Sequence, residues 1–181
     1  IESIFQQLGK SIGKTRAKPL ESLIPMIQAG IEEVRRIQMD LRPSLLDDLG
    51  LLATIDWFCR EFQTTYSHVC IEKEIGIQES EIPESLKIVI YRILGEALHN
   101  VAKHSKADLI RLSLQKTDST IALTIQDNGM GFDRGKMHTR ESPRKGLGLI
   151  SMQERTELSG GSFSFESGRK RGTVVRAVWP L

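Results

Sequence analysis

A stripe of polar residues marks one face of a helix predicted in the middle of the chain. Glu96, Asn100, Lys103 and His104 recur at the three- and four-residue intervals that place side chains on one side of an α-helix. A carboxylate, an amide oxygen and basic groups in such a row can hold a hydrated Mg²⁺ ion and the phosphates around it, because Mg²⁺ prefers oxygen ligands and keeps several waters. Taken by itself, the same stripe is also typical of a solvated helix face.

An aspartate followed by two glycines ends a strand further along the chain. The predicted strand Thr120–Gln126 runs directly into the sequence Asp127, Asn128, Gly129, Met130, Gly131, Phe132. An aspartate at a strand end can accept a hydrogen bond from an exocyclic amine, and the glycines let the backbone approach a ligand closely. A bare Asp-Asn-Gly turn is also ordinary loop chemistry.

A second pair of glycines precedes another helix. The segment Gly146–Leu149 reads Gly-Leu-Gly-Leu, and the helix after it is predicted to begin near Ile150. Glycines just before a helix N-terminus expose backbone N–H groups, which can bind phosphate. The polar and basic segment Phe132–Lys145 that separates the two glycine motifs is more typical of a mobile lid than of packed structure.

Five strands and three helices are predicted to position these groups. Alternating apolar and polar residues predict the strands Val69–Ile75, Asp108–Gln115, Thr120–Gln126, Ser162–Glu166 and Thr173–Val178. Helical spacing predicts Leu51–Tyr66, a helix opened by Pro83 and Glu84, and a helix within Gly146–Ser159 that Gly160 caps. We therefore expect an α+β fold, a two-layer α/β sandwich with helices on one face of a mainly antiparallel sheet.

A further long helix is predicted before this sandwich. From Leu20 to Leu41 apolar residues alternate at spacings of four and three, with a stripe wide enough for a four-helix bundle built from two helical hairpins. A helix packed on its own domain is the alternative. The segment Leu41–Gly50 contains Pro43 and is expected to stop the helix. We therefore divide the chain into residues 1–48, the bundle helices, and residues 49–181, the sandwich.

Composition narrows the class of partner. The chain has 181 residues with a formal net charge of +2, and neither a nucleic-acid footprint nor a membrane contact is predicted. No apolar run approaches the roughly 20 residues of a spanning helix, so a cytoplasmic location is expected. Cys59, Cys70, Trp57 and Trp179 are expected to be buried without a chemical role.

The order and spacing of the three polar and glycine motifs resemble those of the Bergerat-fold ATPases. That group contains sensor histidine kinases, type II topoisomerase ATPase domains, the Hsp90 chaperones and the MutL repair proteins. Glu96–His104 resembles the N box of the kinases, Asp127–Phe132 their first glycine box and Gly146–Leu149 their second. Thr173 matches a threonine that helps to hold adenine, and Met39–Leu51 resembles the linker of NarL-type sensor kinases.

The resemblance implies a dimeric kinase that binds MgATP, passes the γ-phosphoryl group to a histidine on its own helical hairpin, and donates it to a LuxR-type response regulator. It implies catalytic roles for Glu96, Asn100, Lys103 and His104, and Mg²⁺ binding by Asn100 and Glu96. The implied nucleotide contacts are Asn100, Lys103, His104, Asp127, Gly129, Gly131, Phe132, Gly146, Leu147, Gly148, Leu149 and Thr173. The homodimer is expected to form through the helical bundle.

One departure concerns the phosphoacceptor. The histidine, aspartate and glutamine run that opens the first bundle helix of the family is absent, and Gly9 stands where a loose match would place the histidine. We expect residues 1–19 to be the tail of that helix and its loop, with the histidine upstream of Ile1 and the dimer weakened by the missing part. A degenerate kinase is the alternative.

Two other functions remain as alternatives. The chain could be another Bergerat-fold enzyme, either an ATPase in which Glu96 is a general base or an anti-sigma serine kinase. It could also be a non-catalytic dimerisation module that has lost ATP binding. The long helix and the Leu-Arg-Pro linker argue against the first alternative, and the intact glycine motifs argue against the second.

Overall fold

The computed structural model describes residues 44–132 and 146–181, together with the isolated helical positions Leu23, Met26, Ile27 and Gly30. Contacts divide the chain into the units Ile1–Leu41 and Arg42–Leu181. Apart from those four positions, the predicted bundle helix lies outside the described residues, as do residues 1–19 and most of the predicted lid. The assignment of 1–48 and 49–181 to separate domains stays a prediction.

A five-stranded mixed sheet forms one layer of the second unit. The strands are β1 (Cys70–Gly76), β2 (Leu109–Lys116), β3 (Thr120–Asp127), β4 (Ser162–Ser167) and β5 (Thr173–Pro180). Their order is β1-β2-β3-β5-β4, with β1 parallel to β2 and every other pair antiparallel. Alternate residues of the central strands β2 and β3 are buried, so each strand presents one apolar face to the core.

Three helices supply the second layer. They are α1 (Ser44–Thr65), α2 (Glu84–Asn100) and α3 (Leu147–Leu158), and a π-helical turn, Val101–Ser105, continues α2. α2 lies between α1 and α3 and buries Ile90, Ile93 and Leu94 completely. Burial of each such side chain contributes about 1.5–3 kcal/mol. The predicted two-layer α/β sandwich is therefore confirmed, and among the described residues no helix is long and apolar enough to cross a membrane.

The start of α1 differs from the prediction. Helical structure begins at Ser44, not at Leu51, and the interruption falls at Gly50, whose φ of 82° and ψ of 178° are non-helical. The first turn of a helix has no internal partners for its N–H groups, so a proline just before it does not prevent the helix from starting. The predicted return of helical structure at Leu51 was therefore wrong, whereas the end of the preceding helix lies outside the described residues.

A carboxylate that is distant in sequence caps the helical segment after Gly50. Glu79 accepts a hydrogen bond from the Leu51 N–H on Oε1 and one from the Leu52 N–H on Oε2, each at 2.9 Å. Lys87 Nζ lies 3.0 Å from the same Oε1. A Cβ on residue 50 would come within 2.5 Å of that oxygen, so glycine suits both the positive φ and the close approach. Glu79 thus acts as a helix cap supplied from another part of the chain.

These contacts determine how Glu79 responds to pH. Burial raises the pKa of Glu79, but hydrogen bonds from the Leu52 and Leu51 N–H groups and the Lys87 ammonium outweigh it, and the net pKa is lowered. A lowered folded-state pKa means that the ionised group stabilises the fold above its ordinary pKa. That stability is lost as the pH falls through the folded-state value.

We expect Glu79→Gln to lower the free energy of unfolding at pH 7 by about 1 kcal/mol, because an amide cannot accept from both N–H groups. Denaturant titration should show the difference from wild type shrinking as the pH falls through the lowered folded-state pKa of Glu79. Glu72→Gln, which breaks an exposed ion pair with Arg111, is the control and should have a smaller effect. A gap that stays constant over the whole acid range in which the protein remains folded would contradict the capping role.

Two predicted core residues are exposed. Trp179 and Cys59 are buried at 1% exposure, but Trp57 is 43% exposed and Cys70 is also exposed. Cys70 begins β1, an edge strand of the sheet, which is paired with another strand, β2, on one side only. Burial raises the pKa of the Cys59 thiol to about 11, despite the nearby Lys73 charge, so this thiol is not a nucleophile at neutral pH.

Candidate nucleotide-binding site

Asp127 lies at the end of β3 with one oxygen engaged and the other open. Its Oδ1 accepts hydrogen bonds from Ser105 Oγ at 2.6 Å and from the Gly129 N–H at 2.8 Å. Its Oδ2 has no hydrogen-bond partner within the described ranges, although the residue is only 5% exposed. A nearly buried carboxylate with a free oxygen can accept a hydrogen bond from a ligand amine.

Two further hydroxyl groups lie in the same row across the sheet. Asp127 is directly opposite Thr173 on β5, and Thr173 is directly opposite Ser167 on β4. Ser167 Oγ lies 3.0 Å from Thr173 Oγ1 and accepts a hydrogen bond from the Phe132 N–H at 2.9 Å. The row therefore places the predicted threonine beside the predicted aspartate and attaches the end of the first glycine motif to β4.

The glycines of this region allow close contact between backbone segments. A Cβ at Gly129 would overlap the side chain and backbone of Ser105, and one at Gly131 (φ 56°) would overlap the Gly168 carbonyl. A Cβ at Gly172 (φ 71°) would likewise overlap the Asp127 carbonyl. From the sequence, Gly129 and Gly131 were expected to let the backbone approach a ligand closely. Packing within the protein already requires glycine at both.

Asn100 and Glu96 meet the second glycine motif at the other end of the site. Asn100 Nδ2 donates to Glu96 Oε1 at 3.3 Å, which leaves the amide oxygen of Asn100 free to act as a ligand. A Cβ on Gly148 would overlap Glu96 Oε1 and approach Asn100 Nδ2 to 3.2 Å. Gly148 thus allows the first turn of α3 to pack against the polar face of α2.

The N-terminus of α3 is earlier than predicted. The helix begins at Leu147, and Gly146, with φ of 100°, precedes it and accepts the Ile150 N–H at 3.1 Å. The N–H groups of Leu147, Gly148 and Leu149 have no partner within the helix, because the first turn of any α-helix lacks the preceding carbonyls. The glycine motif is therefore the first turn of the helix, and the predicted start near Ile150 was wrong.

The polar stripe ends in a different helical geometry. α2 is α-helical as far as Asn100, and Val101–Ser105 forms a π-helical turn that ends at Lys106 with φ of 53°. Lys103 and His104 are exposed on this turn, so their orientation does not follow the 3.6-residue period used in the prediction. π-Helical turns within α-helices are frequent at functional sites.

Known proteins match this arrangement. A family model described as histidine kinase-, DNA gyrase B-, and HSP90-like ATPase matches residues 86–181, which is just over half of the chain and includes every residue of the site described above. The chain belongs to this ATPase family.

Two curated relatives place the chain on the sensor-kinase branch of the ATPase family. Oxygen sensor histidine kinase NreB of Staphylococcus carnosus is 36% identical over 153 residues, which are 83% of this chain and 42% of NreB. The histidine-protein kinase/phosphatase DegS of Brevibacillus brevis is 32% identical over 164 residues, 91% of this chain and 41% of DegS. The chain thus spans about two fifths of either relative. The predicted sensor-kinase type of ATP-binding domain is confirmed.

A solved structure agrees on the fold of the ATPase family. The histidine kinase domain of a blue-light activated histidine kinase from Erythrobacter litoralis superposes with a TM-score of 0.64, covering 87% of this chain and 81% of that domain. Its sequence identity is 19%, so the likeness concerns the fold alone.

Residues 44–132 and 146–181 contain no group of three or more histidine, cysteine, aspartate or glutamate side chains that could hold a metal. Asn100 and Glu96 offer oxygen atoms on one helix face. Such a pair suits Mg²⁺ that keeps most of its waters or takes phosphate oxygens.

Three residues of the ATPase site were missed in the sequence analysis. Ser105, Ser167 and Gly172 touch Asp127, Thr173 or Phe132 directly. Ser105 had a detectable signal, because it continues the buried face of α2 four residues after Val101 and is polar. Ser167 and Gly172 carried no such signal, since their contacts depend on the pairing of β4 with β5.

Proposed function

We propose that this chain is the catalytic part of a sensor histidine kinase that binds MgATP and transfers the γ-phosphoryl group to a histidine. The observation that carries the proposal is the pairing of two polar ends within one ATP-binding domain. Asp127 and Thr173 lie side by side at one end, and Asn100 and Glu96 meet Gly148 at the other. The first end suits a base, and the second suits phosphates and a cation.

At the base end, the open Oδ2 of Asp127 would accept from the N6 amine of adenine. Guanine presents a carbonyl oxygen at the equivalent position, and two acceptors would then face each other in a nearly buried site. The neighbouring Thr173 hydroxyl, 3.0 Å from Ser167, can donate to a ring nitrogen or to a water beside it. ATP selectivity would therefore come from the ends of β3 and β5.

At the phosphate end, the Asn100 amide oxygen would hold Mg²⁺, with Glu96 orienting that amide. Bound Mg²⁺ would neutralise charge on the phosphate oxygens. Lys103 on the π-helical turn would add positive charge, His104 would add an N–H donor, and the N–H groups of the first turn of α3 would bind phosphate oxygens. Phosphoryl transfer depends on this positioning and neutralisation more than on covalent chemistry by the protein.

In the proposed reaction, a neutral imidazole nitrogen of the acceptor histidine attacks the γ-phosphorus. The bond from that phosphorus to the bridging oxygen between the β- and γ-phosphates breaks, and ADP leaves with that electron pair. The phosphohistidine then passes its phosphoryl group to an aspartate of a response regulator. The names of the relatives NreB and DegS support the first of these transfers for this chain.

The proposed partners are a second copy of the chain and a response regulator of the LuxR type, both in the cytoplasm. Leu23, Met26 and Ile27 are helical positions of the first unit with side chains 44%, 69% and 45% exposed. Exposed apolar residues at helical spacing are suited to pairing with another helix. The regulator type rests on the resemblance of the Met39–Leu51 segment to NarL-type linkers.

We expect the 181-residue chain to bind ATP without acquiring acid-labile phosphate, and to phosphorylate a separate bundle fragment that carries the acceptor histidine. Transfer in trans should be slow, because the effective concentration of a tethered acceptor is lost. Labelling with γ-³²P-ATP followed by a test of acid lability measures both. Asn100→Ala should weaken MgATP binding far more than adenosine binding and should remove the transfer.

Different outcomes identify the alternatives. Release of inorganic phosphate without an acceptor would favour an ATPase that uses Glu96 as a general base. Acid-labile phosphate on the isolated chain would show that one of its own histidines is an acceptor. Absence of transfer to a folded acceptor fragment, with ATP binding intact, would contradict the kinase proposal.

A further inference from the structure

The carboxylate of Asp127 is held by two donors on the same oxygen. Ser105 Oγ and the Gly129 N–H both reach Oδ1, at 2.6 and 2.8 Å. The Gly129 bond is local, two residues along the chain, whereas the Ser105 bond joins the end of the α2 helical segment to the end of β3. Ser105 is only 7% exposed, so its hydroxyl bonds in a site that excludes most water.

Two donors on one oxygen restrict the orientation of the carboxylate. Rotation about the last torsion of an aspartate side chain is soft, because it joins a tetrahedral to a trigonal carbon. A single N–H bond to Oδ1 leaves much of that rotation available. A second donor from a different direction fixes the plane of the group and hence the direction of Oδ2.

We propose that Ser105 is a positioning residue for base selection: its hydroxyl orients Asp127 so that Oδ2 alone faces the amine of the base. The inference rests on the proposed role of Asp127 in binding adenine. It assigns to Ser105 a contribution to the preference for a 6-amino over a 6-oxo purine. Ser105 contacts the carboxylate and not the base.

The backbone of Ser105 has a separate structural role, which allows the hydroxyl to be tested alone. Its carbonyl accepts the Met130 N–H at 2.8 Å and thereby ties the first glycine motif to the helix. Ser105→Ala leaves that bond in place and removes only the donor to Asp127. Gly129 remains against residue 105, because the overlap that excludes a Cβ there also involves the backbone of Ser105.

The test compares ATP with inosine triphosphate, which carries a carbonyl oxygen in place of the 6-amino group. Calorimetry on the 181-residue chain should show that Ser105→Ala weakens ATP binding roughly tenfold and changes inosine triphosphate binding little, so that the preference falls by the same factor. Ser105→Thr, which retains a hydroxyl, should keep the preference. If Ser105→Ala does not fold, Ser105→Cys, with a weak donor, should lower the preference in the same direction by a smaller factor.

Two reference variants separate the possible failures. Ser159→Ala removes a serine hydroxyl that bonds Trp179 Nε1 and the Arg155 carbonyl, outside the site, and should leave both affinities unchanged. Asp127→Asn should remove the preference, and Ser105→Ala should then add nothing further. If Asp127→Asn keeps the preference, the adenine assignment fails. The inference is overturned, and Ser105 is merely structural, in either of two cases. In the first, Asp127→Asn loses the preference for ATP and Ser105→Ala keeps it. In the second, Ser105→Ala weakens the binding of both nucleotides equally.

Discussion

Asp127→Asn is expected to abolish the thermal stabilisation of the chain by ATP. The asparagine oxygen can keep the bonds from Ser105 and Gly129, which both go to Oδ1. An amide NH₂ group then replaces the open Oδ2, and two donors face each other when adenine is bound. A buried polar mismatch costs about 1–3 kcal/mol, and loss of the ion adds to it, so we expect affinity to fall on the order of 100-fold.

This variant is more informative than Asp127→Ala, which would also leave the donors of Ser105 and Gly129 unpaired. Thermal unfolding without nucleotide serves as the control and should change little between wild type and Asp127→Asn. Inosine triphosphate offers an acceptor to the new amide, so its stabilising effect should rise relative to that of ATP. An ATP-induced shift of wild-type size would exclude Asp127 from the base site.

Gly172→Ala is expected to destabilise the domain by about 2–6 kcal/mol, the sum of a strained backbone and an overpacked contact. The residue has φ of 71°, and a Cβ would overlap the backbone carbonyl oxygen of Asp127. Neither group can move without disturbing the pairing of β3 with β5, which places Asp127 opposite Thr173. ATP binding should be lost together with stability.

Gly168→Ala provides a matched control in the same β4–β5 turn. The atoms nearest to a Cβ on residue 168 belong to the Arg171 side chain, at 3.4 Å or more, and the φ of Gly168 is outside the left-handed range. We expect its midpoint of urea unfolding to stay near that of wild type, while Gly172→Ala unfolds at a much lower concentration. Equal midpoints for the two variants would show that the turn adjusts freely and does not hold Asp127 in place.

The local elements of this protein were predictable because their signals are short in range. The apolar face of α2 repeats with the helical period, and the alternating residues of β2 and β3 bury one side of a sheet, so type and approximate bounds followed from periodicity. The motif residues Asn100, Asp127 and Gly148 were found by order and spacing. The glycine after the third helix, Gly160, has the positive φ of a C-terminal cap, as predicted.

Periodicity failed where the backbone leaves its regular form. Nothing in the α-helical pattern indicates that α2 becomes π-helical at Val101, or that Gly146 acts as a left-handed cap and starts α3 at Leu147. Both changes depend on what the turns pack against. Gly148 sits beside Glu96, and Ser105 is bonded to Asp127, so contacts distant in sequence select these local conformations.

By itself, the sequence determined which residues could recognise a nucleotide, and the tertiary structure alone decided how those residues are held. Asn100 was identified from its place in a polar stripe on one helix face, and Asp127 from its position at a strand end just before two glycines. The bond from Ser105 to Asp127, and the cap that Glu79 supplies to α1 from a distant turn, were not identifiable from the sequence. Hydrogen bonds across 22 or 28 residues leave no periodic trace, since they arise only when the sheet and helices have packed.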